Sequence, residues 1–149
     1  MKKEWVKPTM TFLSKEEGDK LMGKIDETGI ARNGQTVVFD FDGVIHSYTS
    51  GWQGTTTIPD EPVPGIKEAL KDFRDAGYEV VVVSTRCKTE DGRDAILDYL
   101  EKYGMYPYVD RVLMEKPPAV CYIDDRAICF DGHPETLLGK VKTFRPWNK

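Results

Sequence analysis

The run "TVVFDFDG" ends in two aspartates one residue apart, Asp40 and Asp42, and "AVCYIDD" ends in an adjacent pair, Asp124 and Asp125. Four carboxylates at the ends of apolar segments repel one another and lose hydration unless a cation joins them. Oxygen donors in a chain with only 2 histidines suit a hard ion, and Mg²⁺ is the obvious candidate. Two further segments add compatible groups. "VVVVST" offers the hydroxyls of Ser84 and Thr85, followed by Arg86, and "EKPP" offers Lys116. A cation held by carboxylates, beside a lysine and a hydroxyl donor, suits chemistry on a phosphoryl group.

These residues need a scaffold that brings distant segments to one place. "TVVFDF" is a continuous β-branched and aromatic run, which predicts a buried strand. If it stays extended through Phe41, Asp40 and Asp42 share one face, because side chains alternate along a strand. "YEVVVVST" predicts a second buried strand, "DRVLM" a short third and "AVCYIDD" a fourth. Between them, Ile66, Ala69, Leu70 and Phe73 recur at helical spacing before Gly77, and Ile96, Leu100 and Tyr103 before Gly104. "RAICF" and "GKVKTF" read as edge strands, with a short helix near Pro134 to Leu138. Ser14 and Glu17 form a capping-box pattern ahead of a helix from about Lys15 to Thr28.

Strands alternating with helices imply an α/β fold with a parallel, Rossmann-like sheet covered on both faces. Right-handed crossovers then bring every strand's C-terminal end to one edge, where ligands of such sheets bind. A length of 149 residues predicts one domain, with residues 1–35 as an N-terminal extension and 36–130 as the motif-bearing core. The net charge of −4 argues against a general polyanion binder but leaves room for a local basic patch. Cys87, Cys121 and Cys129, odd in number and irregularly spaced, predict reduced thiols in a cytoplasmic protein. "MKKEWVKPTM" lacks the apolar run of a signal peptide, and no stretch reaches the length of a membrane span.

The four segments, taken in order, resemble the haloacid dehalogenase (HAD) superfamily of phosphohydrolases. "DFDGV" looks like its first motif, Ser84 its second, Lys116 its third and "IDD" its fourth, so the resemblance covers about Thr36 to Phe130. It implies a Mg²⁺-dependent phosphomonoester hydrolase. Asp40 would be the nucleophile that forms an aspartyl-phosphate. Asp42 would be the general acid and then the base for the hydrolytic water. Ser84 would bind a phosphoryl oxygen, with Thr85 one residue away as the alternative hydroxyl. Lys116 would neutralise charge. Asp124 and Asp125 would hold Mg²⁺ together with Asp40 and the backbone carbonyl of Asp42, unless Asp125 instead orients Lys116 or a water.

Neither gap between motifs leaves room for a cap domain, so the resemblance implies a capless member. Such an open site takes a large phosphorylated substrate or is covered by another subunit of a homo-oligomer. "STR" and "IDDR" are similar to runs in the 3′-phosphatase domain of polynucleotide kinase-phosphatase. This implies that Arg86 and Arg126 grip a second phosphate or a nucleic-acid end, or else pair with the site's own carboxylates. There is no GxxxxGK[ST] for a kinase half. Two other readings use the same motifs: a phosphotransferase with an acceptor hydroxyl in place of water, and a non-catalytic phosphate- or metal-binding module. Asp131 reads as a turn residue and His46 as polar surface with no assigned role. Tyr48 and Trp52, in the loop after the first motif, either stack on a base or sugar or pack the loop onto the domain.

Overall fold

A computed structural model describes residues 32–149. The helix expected between Lys15 and Thr28 lies outside the described residues. The elements in chain order are strand β1 (Thr36–Asp40), helix α1 (Ile66–Asp75), β2 (Glu79–Val83), a 3₁₀ turn (Thr85–Lys88), α2 (Glu90–Lys102), a second 3₁₀ turn (Tyr106–Tyr108), β3 (Arg111–Leu113), β4 (Cys121–Ile123), a third 3₁₀ turn (Pro134–Thr136) and α3 (Leu137–Thr143).

The four strands form one parallel sheet in the order β3-β2-β1-β4. This is an α/β fold of Rossmann-like type. The chain steps outward from β1 to β2 to β3, then returns past both to place β4 on the other side of β1. The direction of winding therefore reverses between β1 and β4, and the crevice outside their C-terminal ends is where such sheets bind ligands.

Register explains the core. Val37 pairs with Val80 and Phe39 with Val82, so these four side chains share a face with Leu70 of α1 and Ile96 and Leu100 of α2. Val38, Val81 and Val83 form the opposite face and are equally buried, with Leu113 and Ala119 against them. Both faces of the central strands β1 and β2 are apolar, as expected where a parallel sheet is covered, whereas Cys121 and Tyr122 of the edge strand β4 are exposed.

The helix ends follow from local chemistry. At the end of α1, Gly77 adopts φ 90°, its N–H donates to the Arg74 carbonyl, and the Tyr78 N–H donates to the Phe73 carbonyl. This is a Schellman motif, and only glycine takes that left-handed conformation without strain. The same pair of bonds recurs after α2 at Gly104 and Met105. Thr89 caps the start of α2, its Oγ1 accepting from the Gly92 N–H at 3.1 Å.

Gly92 also lets α2 approach the turn before it. A Cβ there would lie 2.0 Å from the Arg86 carbonyl oxygen and 2.7 Å from Thr55 Cγ2. The oxygen belongs to the backbone and cannot yield alone. Gly92→Ala is therefore expected to cost about 3 kcal/mol in overpacking, against about 1 kcal/mol gained in helix propensity. A melting curve should fall by roughly 4–8 °C; an unchanged or raised Tm would contradict this packing.

Two expected edge strands are corrected. "GKVKTF" falls largely in α3, where Leu137, Leu138 and Val141 recur at helical spacing and outweigh the brief alternation of Lys140 to Thr143. "RAICF" forms no strand, because the Arg126 N–H donates to Asp124 Oδ1 at 2.9 Å and turns the chain just past β4. The expected helix near Pro134 to Leu138 is present as the third 3₁₀ turn running into α3. Among the described residues, no helix is long and apolar enough to cross a membrane.

Candidate active site

Asp40 is the last residue of β1, and Asp124 and Asp125 directly follow β4, so the two strands flanking the winding reversal deliver three carboxylates to one spot. Each offers an oxygen within 4.8 Å of the others, and all three are partly buried. Burial, a hydrogen bond with Asp125 and the charges of Asp124 and Asp125 push the Asp40 carboxyl up to about 8. Asp124 behaves oppositely. Burial alone would raise it, but the Arg126 N–H and the Lys116 ammonium hold it below the usual carboxylate range. Lys116 Nζ lies 3.2 Å from Asp124 Oδ2. Arg126, largely exposed, places Nε 4.0 Å from Asp125 Oδ2.

Gly43 closes this side of the cluster. Its φ is 87°, and a Cβ would lie 2.1 Å from Asp125 Oδ2, so the turn after Asp42 packs backbone directly against a carboxylate. The Val44, Ile45 and His46 N–H groups all donate to the Phe41 carbonyl. The chain therefore leaves its extended path at once, and Asp42 does not join Asp40 in the carboxylate cluster.

The Asp42 side chain is instead held by two buried residues. Oδ1 accepts from His46 Nδ1 at 2.8 Å and from Arg86 Nη2 at 3.0 Å, and Oδ2 accepts from Arg86 Nε at 2.9 Å. The Asp60 N–H donates to His46 Nε2 at 3.2 Å, which leaves the ring proton on Nδ1, facing Asp42. Burial would raise the Asp42 carboxyl, but the hydrogen bonds from His46 and Arg86 and the Arg86 charge outweigh it and hold the group below its usual range.

Arg86 is fully buried. Its remaining nitrogen, Nη1, donates to the carbonyls of Gly54, Thr55 and Thr57 at 2.7, 2.9 and 3.3 Å, and Trp52 lies over the guanidinium at 4.5 Å. Of the two roles open to Arg86 in the sequence, the structure shows the pairing with the site's own carboxylate. Ser84, also buried, uses Oγ to accept the Arg86 N–H at 3.2 Å and so starts the 3₁₀ turn, while Thr85 is exposed.

His46 and Trp147 had no sequence-level role. His46 is corrected from polar surface to fully buried; it lies four residues from Asp42 and directly after the apolar pair Val44 and Ile45, which was the available signal. Trp147 donates from Nε1 to the Gly43 carbonyl at 2.7 Å across 104 residues of chain, and nothing local announces such a contact.

Neither a family model nor a curated protein sequence matches the chain. Among solved structures, a chain of the "Structure of Pnkp1/Rnl/Hen1 complex" is similar, with 20% sequence identity and a TM-score of 0.43. The match covers 79% of this chain and 40% of that one, so this chain spans well under half the length of its neighbour.

Proposed function

We propose that the chain is a Mg²⁺-dependent phosphomonoester hydrolase that works through an aspartyl-phosphate on Asp40. The observation carrying this reading is the cluster of Asp40, Asp124 and Asp125 at the winding reversal, with Lys116 at its rim. Its donors are oxygens only, and crowding already pushes one carboxyl up to about 8, so the residues fit a hard divalent cation. Mg²⁺ held by these three carboxylates would supply charge neutralisation for a phosphoryl group.

The residues then have distinct tasks. An Asp40 oxygen attacks phosphorus as the bond to the substrate's leaving oxygen breaks, and that oxygen takes a proton from solvent. Lys116, tethered by Asp124, stabilises negative charge at the rim. Asp42 takes a proton from the water that attacks the aspartyl-phosphate, which releases orthophosphate and restores Asp40, and then gives that proton up to solvent. His46 and Arg86 orient Asp42 and keep it ionised, the state that base catalysis needs. The same contacts oppose the protonation that its general-acid role would require.

The similarity of "STR" and "IDDR" to runs in a nucleic-acid 3′-phosphatase supports a nucleotide or a nucleic-acid end phosphate as the substrate class. Phosphate release over a panel of sugar phosphates, nucleoside 5′- and 3′-monophosphates and 3′-phosphorylated DNA, with and without Mg²⁺, tests both parts. Mg²⁺-dependent release, greatest on the nucleotide or DNA members, is expected. Release independent of divalent cations would sink the mechanism. A preference for sugar phosphates would sink the substrate class.

A further inference from the structure

We propose that Trp147 and the basic residues near it in the sequence form a binding surface for single-stranded nucleic acid beside the carboxylate cluster. This deepens the phosphatase reading and rests on it.

The placement is specific. The Trp147 indole N–H is engaged by the Gly43 carbonyl, and Gly43 abuts the Asp125 carboxylate. Next to it, Asn148 Nδ2 donates to the Ser47 carbonyl at 3.0 Å, so two consecutive side chains fasten this segment to the turn after Asp42. Yet the Trp147 side chain is not packed away, and the residue is 61% exposed. An indole held by its polar edge, with its apolar surface in water at the mouth of a carboxylate site, suits a planar ligand. Trp52 is likewise half-exposed: its ring lies over the Arg86 guanidinium, and the residue is 52% exposed.

Charge points to the same ligand. From Thr136 to Lys149 the sequence contains Lys140, Lys142, Arg145 and Lys149 and no acidic residue, in a chain whose net charge is −4. Lys140 is paired with Asp131 at 2.8 Å, whereas Lys142, Arg145 and Lys149 are exposed. Exposed cations within a few residues of an exposed indole supply the two elements of single-strand recognition, one for phosphodiesters and one for base faces. A free phosphate offers the indole no face at all, and a sugar phosphate offers it no planar one.

The test is fluorescence anisotropy of a labelled 3′-phosphorylated oligothymidylate with the full chain in EDTA, where no turnover is needed. Stacking of one base contributes about 1–3 kcal/mol, so Trp147→Ala should weaken binding by roughly 5- to 150-fold, and Trp147→Phe should recover much of the loss. An abasic strand of equal charge, bound to the unmodified protein, should be weakened to a similar extent without any mutation. Equal binding by Trp147→Ala and the parent would overturn the surface, as would equal binding of the abasic strand. Mg²⁺-dependent release of phosphate from a small aryl phosphate is scored separately. Release without Trp147-dependent strand binding overturns the surface alone, whereas strand binding without release from either compound overturns the phosphatase reading.

Discussion

Asp40→Asn is expected to abolish phosphate release while making the metal-free protein more stable at pH 8. The loss follows from the chemistry, because an amide cannot form the aspartyl-phosphate, and removal of a nucleophile costs at least ~10³-fold in kcat. The gain follows from the site's electrostatics. On folding, burial and the neighbouring carboxylates raise the Asp40 carboxyl from 3.8 to about 8. Between those values the folded chain binds a proton more readily than the unfolded chain does. The stability tied to Asp40 is therefore full below about pH 4 and falls as the pH rises toward 8.

Asparagine has no charge to lose, so that fall should vanish. Relief of about 1–2 kcal/mol would raise Tm by roughly 2–8 °C in a domain of this size. Mg²⁺ should reverse the ranking, because the cation replaces the proton among the three carboxylates and stabilises the parent more strongly at higher pH. Melting curves from pH 4 to pH 8, in EDTA and in saturating Mg²⁺, separate these effects. A parent Tm that does not fall over this window in EDTA would mean that the cluster is not crowded as described.

How much of this was legible in the sequence depended on how local each cause was. β1 was readable because "TVVFD" is β-branched and apolar up to its terminal carboxylate, and α1 because Ile66, Leu70 and Phe73 form one stripe closed by Gly77. The meeting of Asp40 with Asp124 and Asp125 followed from a general property of parallel sheets, that strand ends share an edge. The fate of Asp42 was not legible. Alternation along an ideal strand would aim it with Asp40, but the chain turns at Phe41, and its partner Arg86 is buried only because carbonyls some 30 residues away accept its third nitrogen. "GKVKTF" failed for a smaller reason: four alternating residues cannot outweigh a helical spacing that begins with Leu137. Each miss lay where a contact distant in sequence, or one turn of chain, decided the outcome.

The second large effect is at Arg86. Arg86→Met should keep the aliphatic stem but strand the Asp42 carboxylate and the carbonyls of Gly54, Thr55 and Thr57. Breaking one side of a buried, bidentate pair costs about 3–5 kcal/mol, so Tm should fall by roughly 6–20 °C. Arg86→Lys, which retains the charge but offers one ammonium in place of a fork, should fall between the two. The pair can be isolated by adding Asp42→Leu. With both charges gone, the double variant should be more stable than the sum of the single losses implies, by about 0.5–3 kcal/mol.

The pH dependence gives an independent check. Asp42 is held below its usual range, so its contribution is present above 3.8, the unfolded value, and is lost as the pH falls through the folded one. Acid should therefore narrow the gap between the parent and Arg86→Met, because protonation removes the attraction that the mutation removes. Urea denaturation at neutral pH and near pH 3 measures this directly. A gap of constant size, together with additive losses in the double variant, would mean that Arg86 acts through the loop carbonyls and Trp52 alone, and that Asp42 is positioned by His46.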